Sequence, residues 1–77
     1  MTLQDHPRIA IDPEVCGGRP TVAGTRTRVT DILEALAEGV TEDELLADFP
    51  YVEREDIRAC LAWAVAIAEE PGQQAAE

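Results

Sequence analysis

What most limits the fold of this chain is its punctuation: glycines and a proline crowd one stretch, and single breakers then divide the remainder into helix-sized pieces. Gly17, Gly18, Pro20 and Gly24 fall close together and dictate a backbone path that turns and cannot run on as a helix. Beyond residue 30 the apolar spacing becomes helical, and Gly39 and Pro50 mark where successive helices must stop. The expected class is mainly α: a short N-terminal β-ribbon followed by a trihelical unit of the helix-turn-helix kind.

In order along the chain, residues 1–8 lack any period and read as a loose lead-in, and residues 9–29 as ribbon and glycine-rich loop. Arg8-Ile9-Ala10-Ile11 suits a short strand ended by the turn Asp12-Pro13. Pro20 to Val22 suits a second, and the alternation from Arg26 to Val29 a third. Two such strands alone are marginal, so helices must complete their packing.

The first helix is expected to start near Thr30 or Asp31, with Ile32, Leu33, Leu36 and Ala37 on one side and Gly39 at its end. Thr41-Glu42-Asp43-Glu44 has the capping-box pattern, with Val40 ahead of it as a staple to Leu45. Leu45, Leu46 and Phe49 give this second helix its buried side. The third helix is expected from about Glu53 to Glu69 or Glu70, before Pro71-Gly72, with residues 71–77 as a flexible tail. Its first half is amphipathic, whereas Leu61-Ala62-Trp63-Ala64-Val65-Ala66-Ile67-Ala68 is apolar on every side. Two faces are read there: an inward one through Ile57, Leu61, Ala64 and Ala68, and a surplus one through Ala59, Trp63 and Ile67. The second is expected to be an interface, with Trp63 as its anchor.

Seventy-seven residues allow one domain with a thin core, which makes help from a second chain plausible. The net charge of −10 is unevenly spread: residues 1–30 carry four arginines against three carboxylates, and residues 31–77 two arginines against thirteen. The helical part should therefore repel a phosphate backbone and suit a basic partner, while the front could still touch phosphate. Two single cysteines give no secreted framework, and no stretch is long and apolar enough to span a bilayer. A cytoplasmic protein without membrane contact is expected.

Arg19, Arg26 and Arg28, with the Thr25 hydroxyl beside them, are the candidate polar or phosphate contacts. The competing structural role is that Arg26 pins the ribbon to Asp31 or Glu34. His6 is the single histidine and has no cysteine or carboxylate at ligand spacing, so neither metal nor cofactor is expected. No nucleophile, base and orienting group converge, and no enzyme is expected. Cys60 reads as packing, and the leading residues of the third helix, Glu53, Arg54, Glu55 and Asp56, are too acidic to favour a major groove.

The motifs Ile11-Asp12-Pro13, Gly17-Gly18-Arg19-Pro20 and Gly24-Thr25-Arg26, with the Gly39 turn and Pro50, resemble those of domain of unknown function 433. The likeness runs from about Ile9 to Val65. It implies a ribbon followed by a homeodomain-like or winged trihelical unit, often considered the antitoxin of a pair whose toxin looks like a PIN-type ribonuclease. Gly17, Gly18, Pro20, Gly24, Thr25 and Arg26 match the signature, and no catalytic assignment comes with them. Thr27 stands where an aliphatic residue is usual, Glu53 where a capping Thr or Ser is usual, and Trp63 where Tyr is common.

The leading expectation is a non-enzymatic interaction protein, an antitoxin-like subunit that binds a PIN-type ribonuclease toxin, self-associates as a dimer, or both. The alternative is a helix-turn-helix DNA-binding regulator.

Overall fold

The computed structural model describes residues 2–3 and 5–70. Strands β1 (Thr2–Leu3), β2 (His6–Ala10) and β3 (Thr21–Val22) form an antiparallel sheet in the order β1-β2-β3, and three helices follow. The helices are α1 (Val29–Ala37), α2 (Glu42–Asp48) and α3 (Arg54–Ala68). This is the expected ribbon and trihelical unit, with differences at the strands. The lead-in is structured, because β1 and the first residues of β2 occupy it. The third extended piece at Arg26 to Val29 contributes only an isolated bridge, Thr21 to Arg28. Val29 is already helical. The tail at 71–77 lies outside the described residues.

Each helix is bounded by local chemistry. Arg28 precedes α1 without a side-chain cap, so the start is one residue ahead of Thr30 and two ahead of Asp31. At the other end Gly39 takes φ +93°, a conformation that a residue with a Cβ rarely adopts. Gly39 N–H then donates to the Leu36 carbonyl (3.0 Å) and Val40 N–H to that of Ala35 (3.0 Å), closing the helix in a Schellman motif. Helix α2 starts with the expected capping box: Glu44 N–H donates to Thr41 Oγ1 (3.2 Å) and Thr41 N–H to Glu44 Oε1 (2.9 Å). Phe49 ends it, held non-helical by Pro50.

The core is thin and draws on every major element: Ile9, Val22, Val29, Ile32, Leu45, Val52, Ile57 and Cys60 are buried. Ile9 on β2 pairs with Val22 on β3, and β2 lies against α3. Leu33, Leu36, Leu46 and Phe49 pack as half-buried neighbours, and Ala35 takes the place expected of Ala37, which is exposed.

Helix α3 departs most from expectation. Its inner side runs through Asp56, Ile57, Cys60, Trp63 and Ala64, and Trp63 and Ala59 pack against the core. Leu61 is 42% exposed and Val65 60% exposed. A surplus apolar face exists, but it is built on Leu61, Ala62, Val65 and Ala66, not on Ala59, Trp63 and Ile67.

Two outcomes follow for stability. Ile57→Ala should cost about 2–5 kcal/mol, as for a fully buried aliphatic, whereas Leu61→Ala should change stability by no more than about 0.5 kcal/mol; urea melts followed by helical signal separate them. The Thr41 amide and hydroxyl hold the Glu44 carboxyl below its ordinary range. A depressed folded-state value stabilises above the ordinary carboxylate range and is lost as pH falls through the depressed value. Glu44→Gln should therefore flatten the acid side of a melting-temperature profile against pH.

Candidate interaction surfaces

The join between ribbon and helices is made by a carboxylate. Asp56 is the third residue of α3, and its Oδ2 accepts the Glu53 N–H (2.8 Å), satisfying one of the free donors at the start of the helix. Its Oδ1 accepts Arg8 Nη1 at 2.8 Å, and Arg8 also reaches Glu53 Oε1 at 3.2 Å. Both carboxylates stabilise the charged guanidinium, with Asp56 foremost. Glu53, at the position where a capping Thr or Ser is usual in the family, thus reaches the ribbon through its side chain, while Asp56 serves both the helix end and the ribbon. Neither Arg8 nor this use of Asp56 was foreseen. The one signal was an acidic residue at the third helical position.

The glycine-rich loop is built around a left-handed corner. Cys16 has φ +52°, and Gly17 (+66°) and Gly18 (+83°) continue in that region. A non-glycine residue there carries strain, and Cys16 is held by its Sγ–H donating to the Arg26 carbonyl at 3.2 Å. Gly24 (φ +81°) turns the chain again, and the Thr25 hydroxyl donates to the Val22 carbonyl (2.8 Å) and accepts the Thr27 N–H (3.0 Å). Thr25 is therefore occupied in shaping the turn and is not a free contact. The loop and Tyr51, which is 82% exposed, border an open cleft of about 780 Å3 that includes Ala10, Val15 and Arg26.

The arginines divide into two groups. Arg28 forks onto Asp31, with Nη2 to Oδ1 at 2.9 Å and Nε to Oδ2 at 3.3 Å, so the expected pin exists but is made by Arg28 rather than Arg26. That hydrogen bonding holds the Arg28 guanidinium more firmly in its charged form. Arg54 bridges Glu42 (2.7 Å) and Asp43 (2.8 Å), tying the first turn of α3 to that of α2. Arg19, Arg26 and Arg58 are exposed and form no ion pair among the described residues. The first two remain available as polar contacts at the loop.

The predicted signature residues are placed consistently with turns: Gly17, Gly18, Pro20 and Gly24 in the loop, Gly39 after α1 and Pro50 after α2. Of the predicted interface set, Ala59, Trp63 and Ile67 are partly buried along the inner side of α3. The Cys60 thiol is pushed up to about 11 by burial, with Asp56 adding to the effect, and so stays protonated at neutral pH. Among the described residues no group of three metal-ligating side chains comes together, and no helix is long and apolar enough to cross a membrane.

A family model described as protein of unknown function (DUF433) matches residues 9–64. The uncharacterized protein y4eO of Sinorhizobium fredii (strain NBRC 101917 / NGR234) is 33% identical over 58 residues, covering 75% of this chain and 26% of that protein. The chain thus spans about a quarter of the length of that relative. A crystal structure at 2.00 Å of a DUF433 member protein from Anabaena variabilis ATCC 29413 aligns with a TM-score of 0.74 and 30% identity, over 91% of this chain and 69% of that one. In sequence match and in fold alike, the chain belongs to the DUF433 family.

Proposed function

We propose that this chain is a non-enzymatic interaction protein, an antitoxin-like subunit that covers a PIN-type ribonuclease and associates with itself. The observation that carries this reading is the outer face of α3, where Leu61 and Val65 stand exposed on the longest helix of the chain. A domain with so thin a core gains nothing in stability from large apolar side chains on its outside. Such a face matches the composition of a surface that meets another protein.

Charge supports the nature of the partner. Of the thirteen carboxylates in residues 31–77, exposed ones on and beside α1 and α2, such as Glu34, Glu38 and Asp48, form a surface suited to a basic protein. An RNA-cleaving enzyme must attract a polyanion, so an acidic cover competes for the same field. Steering of this kind sets encounter rates and is weakened by salt.

A helix-turn-helix DNA-binding regulator is the second reading, and the exposed Arg19 and Arg26 favour it. The start of α3 counts against docking in a major groove: Glu53 and Glu55 are exposed there, and Arg54 is engaged by α2. DNA contact would instead run through the loop, and each phosphate-bound arginine removed would lower the salt slope of binding by about 1.

The test is mixing with the product of the neighbouring gene, followed by light scattering and RNA cleavage. A stable mixed complex with suppressed cleavage is the expected result, and its affinity should fall as salt rises. Separate elution with cleavage unchanged would contradict the reading. For the regulator, loss of promoter retention in Arg19→Ala/Arg26→Ala is the expected result, and unchanged retention would exclude it.

A further inference from the structure

We infer that the outer face of α3 seats a second copy of this chain, with the two helices antiparallel about a two-fold axis between residues 63 and 64. The inference rests on the reading that the chain works by association, and it names the occupant of this face. The outer row is Arg58, Leu61, Ala62, Val65, Ala66 and Glu69, all exposed. These residues recur at helical spacing on the side opposite Asp56, Ile57, Cys60 and Trp63, which face the domain.

The order of residues along that row is self-complementary. Its apolar centre lies between Arg58, with the exposed Glu55 one turn before it, and Glu69, and neither Arg58 nor Glu69 makes an ion pair among the described residues. Turning a second copy end for end brings Arg58 opposite Glu69, Leu61 opposite Ala66, and Ala62 opposite Val65. A two-fold contact makes each of these pairs twice. In both apolar pairs a large side chain meets an alanine, so the axes can approach to the ~8–10 Å of packed helices. A parallel arrangement would instead set Arg58 against Arg58 and Glu69 against Glu69.

Energetics fix what each part does. Two exposed ion pairs contribute little to affinity, and their part is to select the antiparallel direction. Burial of Leu61 and Val65 supplies the attraction. Each copy carries a charge of −10, so the chains repel at long range until salt shortens the screening length to about 8 Å at physiological strength. The paired stretch is about 18 Å long at 1.5 Å per residue, at the small end of specific interfaces, and the pairing is correspondingly weak and reversible. It leaves Glu34 of α1 and Asp48 of α2, both exposed, outside the contact and open to a basic partner.

Sedimentation equilibrium of the full chain at physiological salt tests this. Wild type should show a reversible monomer–dimer equilibrium. Arg58→Glu should weaken dimerisation by about tenfold or more, because it sets like charges at both ends of the seam. Adding Glu69→Arg should restore affinity to within about threefold of wild type. Both positions are exposed, and circular dichroism checks that each variant keeps its helices. A wild-type chain that stays monomeric, a dimer indifferent to Arg58→Glu, or a double variant without recovery would each overturn the pairing. The ribonuclease reading fails differently, by the absence of a mixed complex, which is measured with the partner present.

Discussion

The carboxylate of Asp56 is the interaction on which the rest of the arrangement depends. One oxygen accepts the Glu53 amide at the start of α3 and the other takes the Arg8 guanidinium from β2, so the helix end and the ribbon are set by one side chain. The group is nearly out of water, with its side chain 8% exposed, and a charge so placed needs its partners. With α3 fixed in this way, Ile57 and Cys60 turn inward to meet Ile9 and the other core residues. The face that α3 turns outward is a consequence of the same anchoring.

A small domain built in this manner has little interior to share. Among the described residues, eight buried apolar side chains come from the ribbon, the three helices and the turn at Val52, and no further element covers the outer side of α3. The helix nevertheless carries Leu61 and Val65 on its open side, while its Arg58 and Glu69 mark opposite ends of that side. Three of the arginines are committed to ion pairs that hold the structure together: Arg28 to Asp31, Arg54 to Glu42 and Asp43, and Arg8 to Asp56 and Glu53. What remains for partners is therefore narrow: the open side of α3, the free carboxylates of the helices, and Arg19 and Arg26 beside the loop.

Features set by near neighbours in sequence were legible. The capping box at Thr41 and Glu44, the glycine end of α1 and the stop at Pro50 each depend on a few residues whose chemistry allows one outcome. Features set by distant partners were not. Arg8 and Asp56 are 48 residues apart, and nothing local links them. Strand β1 is two residues long and carries no alternation to detect. The orientation of α3 was missed for a different reason: from Leu61 to Ala68 every residue is apolar, so the pattern names no inner side. Direction comes from the preceding turns, where Asp56, Ile57 and Cys60 are held, and at helical spacing this carries Trp63 inward and Leu61 outward. Arg26 and Arg28 differ by two positions, and only the three-residue offset of Arg28 from Asp31 within the start of α1 decides which becomes the pin.

Association through the open side of α3 is tested most directly by backbone amide NMR of the isolated chain from dilute to concentrated solution. Concentration-dependent shifts should cluster at Arg58, Leu61, Ala62, Val65, Ala66 and Glu69, with the amides of β2 and β3 unmoved. Spectra independent of concentration, or shifts centred on the Cys16 to Thr27 loop, would contradict the assignment of this face.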